Sequence, residues 1–268
     1  MSEGIIRVLS RGDHFFFSEK GIVETGSGLK HRYLTAQPFP HVVLDDFLPA
    51  TFAGKLLDAF PPAHLASVNR TDEHQYLKRG FRPDDLGDAV SRAYVQPFGS
   101  RPFLLFLESL TRIEGLIPDP HYLGAGYHET SPGGSLAIHA DFNLHARLNL
   151  IRRINVLLYL NRDWDPKYGG NLELWDASMQ RCVTSIEPIF NRGVVFNTTP
   201  SSFHGHPEPL NCPEHRTRRS VALYYYTART DTMATEPINV RTDWRRRPQD
   251  SRVNRLRSLL RRMLNKGR

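Results

Sequence analysis

Two textures divide the chain near residue 124. Before it, apolar positions recur at helical intervals between polar stretches. Leu48-Pro49-Ala50-Thr51 opens a helix, with Pro near its start, that carries Phe52, Leu56, Leu57 and Phe60 and stops at Pro61-Pro62. Ala89 to Leu110 shows helical spacing broken at Pro97 and Pro102, which predicts two helices separated by a turn. Pro40 to Phe47 reads as a strand, Gly115 to Asp119 as a turn, and the polar, aperiodic stretch from Ser67 to Gly87 as loop. Residues 1–32 give only weak strand signals at Phe15-Phe16-Phe17 and are expected to form an N-terminal extension packed on the core. From Gly124 onward, short apolar runs are separated by Gly, Pro, Asn and Asp, the rhythm of antiparallel strands in a sandwich or jelly-roll barrel.

Composition narrows this picture. A chain of 268 residues with 40% hydrophobic content is long enough to bury one sizeable core. No run approaches eighteen apolar residues, so no membrane-spanning helix is expected. The first residues lack a basic region followed by a long apolar stretch, and Cys182 and Cys212 are the only cysteines, so the expectation is a cytoplasmic protein with reduced thiols. The net charge of +7 is concentrated at one end: residues 241–268 hold eleven Lys/Arg against two Asp/Glu, whereas the preceding 240 residues hold 24 against 26. There Val253, Leu256, Leu260, Met263 and Leu264 recur at helical spacing between arginines, predicting a basic helical tail over 241–268. Such a helix suits a nucleic acid or an anionic membrane surface, or else it lies against the body with its charges in water.

The chemistry centres on His139-Ala140-Asp141. Residues two apart share one face of an extended strand, so the imidazole and the carboxylate can grip one metal ion. A third ligand has to come from far along the chain, and Ser202-Phe203-His204-Gly205-His206-Pro207 offers two candidates, His204 and His206. Two His and one carboxylate on one side of an ion leave its other side open, the arrangement of non-haem Fe(II) oxygenases.

The order of motifs carries more weight than the triplet. After it come Asn155 to Asn161 with Tyr159 at its centre, then Trp164, Gly169-Gly170 and Leu172, His204-Gly205-His206-Pro207, and Arg218-Arg219-Ser220. Over about residues 120–228 this order resembles the 2-oxoglutarate- and Fe(II)-dependent dioxygenases of the prolyl 4-hydroxylase-like branch, with a weaker echo in Pro38 to Leu48. The resemblance implies a mainly β, α+β fold: a double-stranded β-helix (jelly-roll, cupin-like) core over 33–230 with helices packed on one side. It implies Fe(II) held by His139, Asp141 and His204, with His204 preferred to His206 because the family's ligand follows a short loop leaving a strand. Arg218 and Ser220 match the position that takes the far carboxylate of 2-oxoglutarate, while Arg219 points the other way unless the register slips by one. Tyr159 and Tyr127 match active-site tyrosines, and Asn155 shares the face of Tyr159; Trp164 and Trp175 are assigned to packing.

The reaction implied is hydroxylation of an unactivated C–H bond with O2 and 2-oxoglutarate, releasing succinate and CO2, with ascorbate as a reductant. Asp141 occupies the position that related halogenases leave vacant for chloride, which favours hydroxylation. By pattern the substrate is proline or another amino acid, free, in a peptide, or carrier- or sugar-linked. His145, Arg147 and Arg152, lying between Asp141 and an expected strand at Arg153, read as a cationic lip suited to a carboxylate or phosphate, or as solvated loop charges. Two other classes stay open: a non-catalytic ligand-binding protein on the same barrel, and a nucleic-acid-directed oxygenase using the arginine-rich tail.

Overall fold

The computed structural model describes residues 4–12, 14–87, 89–230 and 237–250. In chain order these form a hairpin of β1 (Val8–Arg11) and β2 (His14–Phe17), helix α1 (Ile22–Leu34), β3 (His41–Leu44) and α2 (Ala50–Asp58). A second hairpin of β4 (Val68–Arg70) and β5 (Gln75–Phe81) precedes α3 (Ala89–Val95), α4 (Arg101–Thr111) and the short β6 (Ile117–Pro118). The remaining strands are β7 (Gly126–Ala140), β8 (Leu144–His145), β9 (Leu150–Tyr159), β10 (Leu172–Trp175), β11 (Cys182–Ile186), β12 (Gly193–Asn197), β13 (His204–His206), β14 (Arg218–Ala228) and β15 (Asp243–Trp244).

One large antiparallel sheet runs β11-β10-β13-β7-β14-β9-β12-β3 and curls into a jelly roll, because β7 is long enough to serve two walls. Its first half pairs with β14, its second half with β13 and β15, and β5 runs along both. Between them Ser131 to Gly134 interrupt the ladder, and the β5 register shifts at the same place. β14 pairs with both β7 and β9, so it is buried on both sides and reads as the near-continuous apolar run Val221 to Tyr226.

The helices cover one face of this sheet. Phe103, Phe106, Leu107 and Leu110 of α4 are fully buried against Phe17, Phe47, Phe98 and Tyr225, each such side chain stabilising the fold by about 1.5–3 kcal/mol. Helix α1 packs on α4 at Gly26, where a Cβ would stand only 2.6 Å from the Phe106 carbonyl oxygen, so glycine permits the close approach.

Several expectations change. Ile6, Phe17 and Ile22 enter the main core, and α1, which the sequence did not predict, has few apolar positions. The stretch 67–87 is a strand hairpin, not loop; β5 lacks alternation because Lys78 faces a cavity and Arg79 forms an ion pair with Glu129 on the opposite face. The division between body and tail also moves. Asp243 and Trp244 pair with Ala140 and His139, the Arg245 amide donates to the Ile138 carbonyl, and Arg247 is buried against Glu208 and Asp250, so residues 237–250 belong to the body. The helical tail expected beyond them, 251–268, lies outside the described residues.

Candidate metal centre and 2-oxo acid pocket

At the end of β7 the alternation of side chains sorts core from site. Ile138 and Ala140 pack with Trp175 and Phe203, which turns His139 and Asp141 to the opposite face. β13 lies antiparallel to this end of β7 with His204 directly opposite His139. Gly205 allows that pairing, since a Cβ there would meet the Ala137 carbonyl oxygen at 2.7 Å. The ligating atoms of His139, Asp141 and His204 all fall within 4.8 Å of one another, with His139 Nε2 3.7 Å from Asp141 Oδ1 and His204 Nε2 3.5 Å from Oδ2.

The donor set suits a ferrous ion. His139 Nδ1 lies 2.8 Å from the Ala137 carbonyl and His204 Nδ1 2.9 Å from the Ser202 carbonyl. A carbonyl only accepts, so each Nδ1 carries the proton and each Nε2 turns its lone pair to the centre. Burial and the neighbouring His204 hold the His139 imidazole down at about 3, and burial likewise lowers His204, so both are neutral ligands near pH 7. Burial alone would raise Asp141, but Arg152 and the two imidazoles outweigh it and keep the carboxyl well below the usual range. Two neutral nitrogens and one carboxylate leave the opposite side of an ion to other ligands.

Asp141 is held in turn. Its Oδ2 accepts from Arg152 Nη2 at 2.9 Å and Asn155 Nδ2 at 2.8 Å, and the Arg152 guanidinium lies 3.3 Å from the Tyr224 ring centroid. This corrects the reading of Arg152 as part of an exposed lip. It lies on β9, is 1% exposed, and orients the carboxylate; His145 is also buried, and only Arg147 of the three is exposed.

Beside the three ligands a cavity of about 390 Å³ opens, lined by Arg218, Ser220, Tyr159 and Asn155 among others. Arg218 donates from Nε to the Gly170 carbonyl at 2.7 Å and from Nη2 to the Tyr159 hydroxyl at 3.3 Å. Gly170 has φ +75, and a Cβ on it would stand 3.0 Å from Arg218 Cδ. Among the described residues no carboxylate lies within 4 Å of this buried guanidinium, and burial lowers its pKa. Arg219 faces away, pairing with Glu129 and lying over Phe60.

Tyr127 does not reach the site. It faces the core, its hydroxyl donates to the Ser91 carbonyl, and the cavity face of β7 shows His128 and Thr130 instead. His206 is buried in the cavity wall with neither ring nitrogen hydrogen-bonded among the described residues. Trp164 and Trp175 are packing residues, as expected. The sequence reading missed Lys78 and Trp244. Trp244 stacks on His74 at 4.7 Å and lies 4.9 Å from the ring of His139.

Residues 125–226 match the model of the 2OG-Fe(II) oxygenase superfamily. That stretch is similar to a 2OG-Fe(II) oxygenase domain. Over 200 residues the chain is 26% identical to a prolyl 3-hydroxylase of Mus musculus, covering 72% of this chain and 34% of that protein, so it spans about a third of that relative's length. Among solved structures, a prolyl-4-hydroxylase of Pseudomonas putida superposes with a TM-score of 0.53 at 19% identity, over 76% of this chain and 99% of that one. A Trichoplax adhaerens prolyl hydroxylase, solved in complex with a hypoxia inducible factor oxygen degradation domain peptide fragment, gives 0.53 at 18% identity over 76% and 90%. These likenesses place the oxygenase domain on the jelly-roll fold, with β5 and β15 contributing to its cavity from outside residues 125–226.

Proposed function

We propose that this protein is an Fe(II)- and 2-oxoglutarate-dependent dioxygenase that hydroxylates an unactivated C–H bond of proline or another amino acid, with release of succinate and CO2. The observation that carries the reading is a buried His-Asp-His set with both imidazole tautomers preset, adjoining a buried guanidinium that has no carboxylate partner among the described residues. The choice of proline leans on the prolyl hydroxylases among its relatives.

Each residue has a definite task. His139, Asp141 and His204 would hold the iron, which supplies dioxygen activation coupled to oxidative decarboxylation of the 2-oxo acid. Arg218 receives the far carboxylate of 2-oxoglutarate in a two-pronged, charge-assisted contact, with the Tyr159 hydroxyl beside it. Arg152 and Asn155 hold the Asp141 carboxylate through Oδ2 and so would orient it as a ligand. Leu157, Leu172 and Ala222 line the cavity between these groups and exclude water from the reacting centre.

Anaerobic titration of Fe(II) and 2-oxoglutarate tests this. The weak visible charge-transfer band of a chelated 2-oxo acid is expected in the wild type and lost in His139→Ala and Asp141→Ala. A band that survives in both variants removes the metal assignment.

A further inference from the structure

The strand register places a second cation in the cavity. Lys78 of β5 is opposite Thr130 of β7, which is opposite Arg218 of β14, so the three form one row across adjacent strands on the cavity face. Their spacing of two strands, roughly 10 Å between the outer backbones, leaves Thr130 between the charges. Arg218 leans away from Lys78, toward Tyr159 and Gly170. Lys78 has no hydrogen bond or ion pair among the described residues, and lies on the side where β4 and β5 form the cavity mouth with Val68 and Arg70.

Charge then decides what belongs there. Among the described residues Asp141 is the only acidic one lining the cavity, and it is matched by Arg152. Of the other cations, Arg79 and Arg82 have carboxylate partners, whereas Arg218, Lys78 and Arg70 have none among the described residues. A ferrous ion and a 2-oxoglutarate dianion cancel each other, so their arrival leaves this positive excess in place. A half-enclosed ammonium is stabilised by an anionic partner, and burial lowers its pKa to about 8, consistent with a cation still lacking one. A cavity of about 390 Å³ also has room beyond a five-carbon dicarboxylate.

We propose that Lys78 selects the substrate, by binding an anionic oxygen group, carboxylate or phosphate, on the molecule that is oxidised. This rests on the dioxygenase reading above and adds to it a substrate class and the residue that recognises it.

The test uses the full chain with Fe(II) and 2-oxoglutarate under exclusion of oxygen, and matched pairs of probes: prolyl peptides with Glu or Gln beside the proline, N-acetylamino acids and their amides, and sugar phosphates and their parent sugars. Binding is measured by calorimetry, and succinate release is measured after oxygen is admitted. In at least one pair the acidic member is expected to bind at least tenfold more tightly, with Lys78→Met erasing the gap and Lys78→Arg keeping most of it; the pair that responds separates carboxylate from phosphate. Acidic and neutral members that behave alike in every pair, including pairs in which neither binds, overturn the proposal. So does a gap that survives in a Lys78→Met protein whose thermal unfolding shows it is folded, or a Lys78→Met protein that loses 2-oxoglutarate affinity instead. Wild-type protein that fails to bind 2-oxoglutarate sinks the dioxygenase reading itself, an outcome distinct from the others.

Discussion

Arg218 makes an opposed prediction for stability and for binding. It is 6% exposed, and its only hydrogen bonds among the described residues go to the Gly170 carbonyl and the Tyr159 hydroxyl. Desolvating a cation costs several kcal/mol, and leaving the Gly170 carbonyl unpaired costs about 1–3 kcal/mol. By these magnitudes the first is the larger, and burial lowers the guanidinium pKa, disfavouring the charged form. Arg218→Met should therefore stabilise the ligand-free protein by about 1–2 kcal/mol, a rise in melting temperature of roughly 2–4 °C per kcal/mol. The same change removes two charge-assisted hydrogen bonds to the dicarboxylate, each about 1.5–3 kcal/mol, so 2-oxoglutarate affinity should fall by on the order of 10²–10⁴-fold. Thermal unfolding in chelator and anaerobic calorimetry with Fe(II) measure the two effects. A variant that melts below the wild type without ligand, or binds 2-oxoglutarate as tightly, refutes the assignment of Arg218 as a cation awaiting an anion.

Three further outcomes follow from the same contacts. Arg152→Met strands the buried Asp141 carboxylate and should cost the metal-free protein about 3–5 kcal/mol, partly recovered by Mn(II), as thermal melts with and without the ion will show. Gly205→Ala drives a methyl into the Ala137 and Leu136 carbonyl oxygens at 2.7 and 2.8 Å and should weaken metal binding by roughly tenfold or more, read by competition with a chromogenic chelator. Lys78 releases its proton at about 8 in the folded chain but at 10.5 when free, so between those values the unfolded chain holds more protons and stability contributed by this group rises with pH; denaturant titrations should show that rise in the wild type and a flatter profile in Lys78→Met.

What was legible in the sequence was what strand alternation and fixed motif order encode. His139, Asp141, His204, Arg218, Ser220 and Tyr159 lie around one cavity on the expected strands, and Arg218 rather than Arg219 faces it. Tyr127 was misplaced by one position, since only the neighbours His128 and Thr130 share the cavity face with Ser220 and Arg218. Lys78 and Trp244 were illegible because each sits in a polar or arginine-rich stretch whose strand character comes from pairing with β7 rather than from its own apolar period. Arg152 looked like a surface charge because nothing local announces a partner eleven residues away at Asp141.

The two short strands that flank β7, β5 with Lys78 and β15 with Trp244, are drawn from sequence lying outside residues 125–226. Iron-binding chemistry and the outer rim of the cavity are thus written in separate stretches of one polypeptide. If Lys78 selects the substrate as proposed, substitutions along 68–81 would retune which molecule is accepted while His139, Asp141 and His204 keep their places, so new preferences are open to this scaffold in small steps.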